Sequence, residues 1–303
     1  MADSLPIAYL NGSYLPLAEA RVSPLDRAFL FADSVYEVIP VYGGKLFLLD
    51  AHLDRFSRSL QAIRLSDPSD RERWTALLET LVERNGGDGM AVYLQVSRGA
   101  GPGRDHRLPH GLRPTVFAMA QPFQGVPDSV RRSGVTAVTL ADTRWERCDI
   151  KSTALLANVL LRADAEDAGA QEAILVRDGF VTEGASSSVF IVEAGSLRTP
   201  PDGHELLPGT TRDLVLALAR EAGVTVREAR FTPDELALAD EIWISSAMRE
   251  VIAVTRLDGN PVGDGRPGPC WQSVYDRYQG YKQRIMVGDD ARKNRDQIPR
   301  GLD

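Results

Sequence analysis

The chain reads as a two-domain α/β protein whose N-terminal part is α+β, and three observations predict it. Glycine-bearing hairpin turns join short apolar segments, amphipathic helices follow at three- and four-residue spacing, and a proline-rich break divides the first set of elements from the second. A length of 303 residues leaves room for about two domains, each with its own core.

Ile7 to Leu10 and Ser13 to Leu15 flank Asn11-Gly12, a dipeptide suited to the two positive-φ sites of a type I′ hairpin. Val35 to Val41 and Lys45 to Leu49 flank Gly43-Gly44 in the same way. Asp50 is then expected to cap a helix whose apolar face is Leu53, Phe56, Leu60 and Ile63. A second helix is predicted over Arg71 to Arg84, ended by Asn85-Gly86-Gly87, and strands over Met90 to Ser97 and Thr115 to Ala120. Residues 1–122 should therefore form a small α+β domain. A linker is expected at 123–127, because two prolines and a glycine in Gln121-Pro-Phe-Gln-Gly-Val-Pro127 interrupt both periodicities.

Residues 128–288 should form a larger mixed α/β domain, since strand and helix segments interleave there. A strand is predicted over Val135 to Leu140, a helix over Ser152 to Gly169, and a hairpin from Glu172 to Arg177 and Phe180 to Glu183 around Asp178-Gly179. A strand over Ser187 to Val192, a helix over Thr211 to Ala222, a strand over Glu241 to Ser245 and a terminal helix over Cys270 to Met286 complete it. The polar tail, 289–303, is expected to be poorly ordered.

Composition excludes several classes of function. Hydrophobic residues at 43% and charged residues at 25% are ordinary for a globular protein, so a disordered or fibrous chain is not indicated. A net charge of −7 argues against nucleic acid as the main partner, and the basic residues at Arg292 to Arg295 read as a solvated end. Cys148 and Cys270 are too few and too far apart for a disulfide scaffold or a metal-ligand set, which fits a reducing cytoplasm. The N-terminus has no positive region followed by an apolar one, and no segment approaches the ~18 uncharged apolar residues of a span. An untargeted, soluble chain without a membrane partner is expected.

Lys151 lies at the expected seam between the Val135 strand and the Ser152 helix, in Arg144-Trp-Glu-Arg-Cys-Asp-Ile-Lys151-Ser152. A sheltered amine of this kind can act as a nucleophile and form a Schiff base, and a helix start is otherwise a poor place for a cation. About thirty residues later Val181-Thr182-Glu183-Gly184-Ala185-Ser186-Ser187-Ser188 supplies a carboxylate and hydroxyls from a sharp turn. An amine, a carboxylate for a pyridinium nitrogen and donors for a phosphate are what pyridoxal 5′-phosphate asks of a protein.

With these motifs in family order from Tyr9 to about Arg256, the chain resembles the fold-type IV aminotransferases dependent on pyridoxal phosphate, and among them the D-amino acid aminotransferases. The resemblance implies the two-domain architecture of that fold type. In Arg-Cys-Asp-Ile-Lys-Ser it implies Lys151 as the Schiff-base lysine that also shuttles the Cα proton. It implies Glu183 as the carboxylate at the pyridine nitrogen, with Ser187 beside it among the cofactor contacts. For the phosphate it implies Arg55, the turn Leu207-Pro-Gly209-Thr210-Thr211 at a helix start, and Ser246. Ser246 is followed by Ala247-Met248, where the family often carries threonines.

Tyr36, in Phe31-Ala-Asp-Ser-Val-Tyr36-Glu37, and the Arg104-x-His106 pair within Arg98-Gly-Ala-Gly-Pro-Gly-Arg104-Asp-His106 resemble the family's grip on the substrate α-carboxylate, for which a guanidinium offers a two-donor fork. In the family that loop comes from the neighbouring subunit, so a homodimer is implied. The reaction implied is ping-pong transfer from a D-amino acid to a 2-oxo acid, as from D-alanine to 2-oxoglutarate, giving pyruvate and D-glutamate. Branched-chain L-amino acid aminotransferases are the alternative, but they commonly carry Asn-Tyr after the lysine and Gly-Glu-Asn after Glu-Gly-Ala, where this chain has Leu155-Leu156 and Ser186-Ser187-Ser188. Aminodeoxychorismate lyases of the same fold as a rule lack the Arg-x-His loop. Glu37 reads as a structural partner, His52 and His110 as surface groups, His204 as part of a polar turn, Cys148 as a small buried residue, and Trp145 and Trp243 as core.

Overall fold

The computed structural model of the chain describes residues 5–288, so the tail expected at 289–303 lies outside the described residues. The chain divides into two compact units. The first runs to Gln124 and also includes Ile150–Leu155; the second holds Gly125–Asp149 and the residues from Leu156 onward.

In the first unit the elements are β1 (Ile7–Leu10), β2 (Ser13–Pro16), α1 (Arg27–Phe31), β3 (Ser34–Tyr42), β4 (Lys45–Leu46), α2 (Leu49–Ala62), α3 (Arg71–Arg84), β5 (Met90–Ser97) and β6 (Thr115–Pro122). They build an antiparallel sheet in the order β2-β1-β6-β5-β3-β4. Asn11 and Gly12, like Gly43 and Gly44, all have positive φ, which explains why those residues occupy the two hairpin turns. Leu53, Phe56 and Leu60 of α2 and Trp74, Leu78 and Leu81 of α3 close over Val35, Ile39, Val92 and Leu94 of the sheet. Phe56, 1% exposed and edge-on to Trp74, sits in the middle of this layer. Phe56→Ala should cost about 3–5 kcal/mol, measured as a lower midpoint in urea at unchanged m.

Two expectations fail here. The strand expected to Leu49 stops at Leu46, because Leu48 takes a left-handed φ of 54° and turns the chain into α2. Leu48 is therefore the residue preceding the helix, and Asp50 does not cap it; the Asp50 carboxylate accepts from Arg71 instead.

The second unit contains α4 (Asp128–Ser133), β7 (Val135–Ala141), α5 (Leu156–Asp167), β8 (Glu172–Arg177), β9 (Phe180–Gly184), β10 (Ser188–Glu193), β11 (Ser196–Thr199), α6 (Thr210–Glu221), β12 (Thr225–Glu228), α7 (Pro233–Ala237), β13 (Glu241–Ser246), β14 (Glu250–Leu257), β15 (Asn260–Pro261) and α8 (Pro269–Val287). Its mixed sheet runs β12-β11-β10-β13-β14-β7-β8-β9, with β15 paired to β14. Residues of β8, β10, β13 and β14 meet Phe231 and Leu236 in one core cluster.

The helix expected over Ser152 to Gly169 begins only at Leu156. Residues 150–155 run irregularly beside the start of β3 instead: Ser152 bridges Val35, and the Thr153 N–H donates to the Ser34 carbonyl at 3.1 Å. Ile150 is buried in the first unit's core, which holds the segment there. Lys151 therefore does not stand at a helix start, and the macrodipole argument for it falls away. Among the described residues no helix is long and apolar enough to cross a membrane.

Candidate active site

In the first unit, Lys151 lies beside Tyr36. The Tyr36 N–H donates to the Lys151 carbonyl at 3.0 Å, the Lys151 N–H donates to Ser59 Oγ at 3.2 Å, and Lys151 Nζ stands 4.4 Å from the centre of the Tyr36 ring. Tyr36 is also stacked on Tyr93 at 5.6 Å. Backbone pairing along β3 thus fixes where the amine leaves the chain, and the Tyr36 ring, backed by Tyr93, is what it faces.

Arg55 reaches this neighbourhood from α2 and is buried. Its Nε and Nη2 donate to the two oxygens of Glu37 at 2.8 and 2.7 Å, the planar two-point pairing that suits a guanidinium. His52, expected at the surface, is 1% exposed because its Nδ1 lies 2.6 Å from the same carboxylate. An ionised carboxylate only accepts, so Nδ1 carries the proton. Burial alone would raise the Glu37 carboxyl, but the charge and hydrogen bonds of Arg55 and the neighbouring His52 hold it well below the ordinary range. Burial drives the His52 imidazole down against the pull of Glu37, and the charges of Arg55 and Lys151 push the same way. The result is a neutral imidazole joined to a Glu37–Arg55 ion pair.

Arg104 and His106 sit, exposed, on the segment between β5 and β6. Both rest on Phe31, with the Arg104 guanidinium and the His106 ring each 5.1 Å from the ring centre.

The second unit brings together a different set. Glu183, near the end of β9, is buried and accepts from Arg144 Nη1 through Oε1 and from the Leu207 N–H through Oε2 at 3.1 Å. Arg144 also forks onto Asp142 at 2.9 and 2.8 Å, and Asp142 receives Arg177 and Thr182. Burial pushes the Glu183 carboxyl up, with Arg144 and the Leu207 N–H pulling the other way. Burial would raise Asp142 too, but the hydrogen bonds and charge of Arg144 hold it below the usual carboxylate range. Sequence reasoning misses Arg144; an Asp-x-Arg pair just after an apolar strand is the signal that could have found it.

Two residues beyond Leu207, Gly209 precedes α6 and leaves its N-terminus without a side-chain cap. A Cβ on Gly209 would meet Ser188 Oγ at 2.7 Å and Arg212 Cβ at 2.9 Å, so any side chain there would force its neighbours to shift. Thr210 and Thr211 open the helix and are buried. Ser246 ends β13, half-buried, and its carbonyl accepts from the Arg249 N–H in the turn through Ala247-Met248. Ser187 is buried with its hydroxyl donated to Glu172 at 2.9 Å. Trp243 is core, as expected, whereas Trp145 is 46% exposed: its carbonyl accepts from Cys148 Sγ and Arg177 while its ring lies outside. Burial pushes the Cys148 thiol up, which suits a packing residue and not a nucleophile.

A family model described as amino-transferase class IV matches residues 34–257. The chain belongs to the class IV aminotransferase family. Within this family, a D-alanine aminotransferase of Bacillus licheniformis is 42% identical over 87% of this chain and 93% of its own length. A second, from Staphylococcus haemolyticus, is 36% identical over 90% of this chain and 96% of its own. The fold is similar to that of the branched-chain amino acid aminotransferase of Escherichia coli, with a TM-score of 0.85 at 26% identity, covering 97% of this chain and 97% of that one.

The second unit's donors suit the phosphorylated pyridine that such an aminotransferase would use. A buried carboxylate and an uncapped helix N-terminus are separated by the short segment Leu207–Gly209, one end suited to a ring nitrogen and the other to an anion.

Proposed function

We infer that the chain transfers amino groups from D-amino acids to 2-oxo acids with pyridoxal 5′-phosphate as cofactor, D-alanine and 2-oxoglutarate being a representative pair. The observation that carries this reading is the 36–42% identity, along most of the chain, to proteins named D-alanine aminotransferases. When bound, pyridoxal phosphate draws electrons from the substrate's Cα and stores the amino group between the two half-reactions. Lys151 anchors the cofactor and moves the proton at Cα. The Glu183 carboxylate keeps a proton at the ring nitrogen, and Arg144 holds Glu183 in place. Arg55, Thr210, Thr211 and Ser246 take the phosphate, with Ser187 supporting the cofactor turn through Glu172.

Tyr36, Arg104 and His106 hold the α-carboxylate. The working assembly is a homodimer in which the loop bearing Arg104 and His106 completes the partner's site. Within the second unit, exposed apolar side chains of α5, Leu156 at 72%, Val159 and Leu160, support a surface that a partner covers. The free thiols of Cys148 and Cys270 are in keeping with a cytoplasmic location.

Stereochemistry is the sharpest test. With the Cα–H directed at Lys151 and the nitrogen on the cofactor, exchanging enantiomers swaps the carboxylate with the side chain. An L-substrate then loses its grip on Arg104, and one hydrogen bond to a charged group is worth roughly 1.5–3 kcal/mol, or tenfold and more. Arg104→Ala should raise KM for D-alanine by about tenfold or more and leave the cofactor spectrum unchanged. Should the wild type prefer L-leucine, with kinetics indifferent to Arg104→Ala, the chain is a branched-chain enzyme and the D-specific reading fails.

A further inference from the structure

We propose that Phe31 is a positioning residue for substrate binding: with Arg27 and Asp33 behind it, its ring is the platform that fixes Arg104 and His106. This rests on the carboxylate-binding reading of that pair.

The segment from Gly99 to Pro114 is closed at its neck and open at its tip. Gly99 has a φ of +96°, and a Cβ there would sit 2.0 Å from the Arg113 carbonyl oxygen, so the two arms pass too closely for any other residue. At the exit Thr115 Oγ1 donates to Asp26 at 2.6 Å, and at the entry Arg98 forks onto Asp33 at 2.8 and 3.0 Å while donating to the Ile63 carbonyl at 2.6 Å. These bonds hold the base. They leave the tip, where Arg104 and His106 are, to be held by something else.

Arg27 supplies the link. It is buried, its Nε donates to Asp33 at 2.7 Å, and its Nη1 donates to the carbonyl of Asp105 at 2.7 Å, the residue between Arg104 and His106. The same guanidinium lies 4.6 Å from the centre of the Phe31 ring. The guanidinium groups of Arg27 and Arg104 thus lie within the range where a cation is drawn to the Phe31 face, and the His106 ring packs on the same side chain as a tilted aromatic pair. Burial would raise the Asp33 carboxyl, but Arg98 and Arg27 hold it below its ordinary range, so it stays charged and keeps both arginines in place.

Long exposed side chains lose rotamer freedom when they bind, and a ring that already restricts two of them reduces that loss. The benefit appears in substrate capture, because the platform acts on the two residues that hold the α-carboxylate. Phe31→Ala should therefore raise KM for D-alanine about five- to tenfold, with kcat changed less than twofold and the melting temperature and bound-cofactor absorbance close to wild type. Phe31→Tyr, which keeps the aromatic face, should restore the wild-type KM.

A double-mutant cycle separates positioning from general disturbance. In an Arg104→Ala/His106→Ala background, Phe31→Ala should have no further effect on KM, since the groups it positions are gone. An unchanged KM in Phe31→Ala, a fall in kcat instead of a rise in KM, or an undiminished effect in the double background would overturn the proposal. If Arg104→Ala itself leaves KM unmoved, the carboxylate-binding reading fails first, which distinguishes the two.

Discussion

Lys151→Ala should yield a folded, cofactor-binding protein whose transamination rate has fallen by at least roughly 10²–10⁴-fold, the range for loss of a proton-transfer group alone. Loss of the covalent anchor adds to this. Folding should survive because the segment is held by groups that alanine keeps: the Lys151 carbonyl bonded to the Tyr36 N–H, its own N–H bonded to Ser59, and Ile150 in the core. The contact given up is the amine over the Tyr36 ring, worth ~1 kcal/mol for a partly exposed pair. Peptide mapping after borohydride reduction is well suited to the test, since the chain has only Lys45, Lys151, Lys282 and Lys293. A label on Lys45, Lys282 or Lys293, or turnover within tenfold of wild type in the variant, would remove Lys151 from its role.

The second large effect belongs to Glu183. Glu183→Gln keeps the shape and an acceptor for the Leu207 N–H but removes the charge, and Arg144 retains Asp142 as a partner. The fold should be little affected. The rate of proton removal from D-alanine should fall roughly 10²–10³-fold, as when a preorganised electrostatic contact is lost, while KM and cofactor retention change little. Single-turnover absorbance reads this directly. An unaltered rate would mean that another group faces the ring nitrogen.

Much of the fold is legible in the sequence where local rules are strong. The hairpins at Asn11-Gly12, Gly43-Gly44 and Asp178-Gly179 follow from positive φ at both turn residues, which few side chains tolerate. The period of Leu53, Phe56 and Leu60 marks the buried face of α2 for the same reason of pattern. By contrast β14 leaves no alternation to read, because nearly all of Glu250–Leu257 is buried within the sheet.

The site is legible in part. Lys151 and Glu183 stand in recognisable runs, but the non-helical course of 150–155 is imposed by pairing with β3, a partner more than a hundred residues away. Local propensity, which favours a helix directly after Lys151, cannot register that. His52 escapes a local reading because its burial depends on Glu37 across the sheet-helix contact, and Arg144 because its partner Glu183 lies 39 residues on. Such pairings are long-range, and periodicity carries no trace of them.

The membership of Ile150–Leu155 in the first unit has a consequence for how the protein is made. When Gln124 leaves the ribosome, the small unit still lacks Ile150 from its core and the segment that bridges β3. Translation must run on through a stretch of the second unit before that piece appears, a wait of roughly one to five seconds at ordinary elongation rates. During it the edge of β3 near Val35 has no Ser152 beside it. The order of synthesis therefore delays the lysine-bearing segment until after the body that receives it, so the nascent first unit is a waiting scaffold and the amine arrives last.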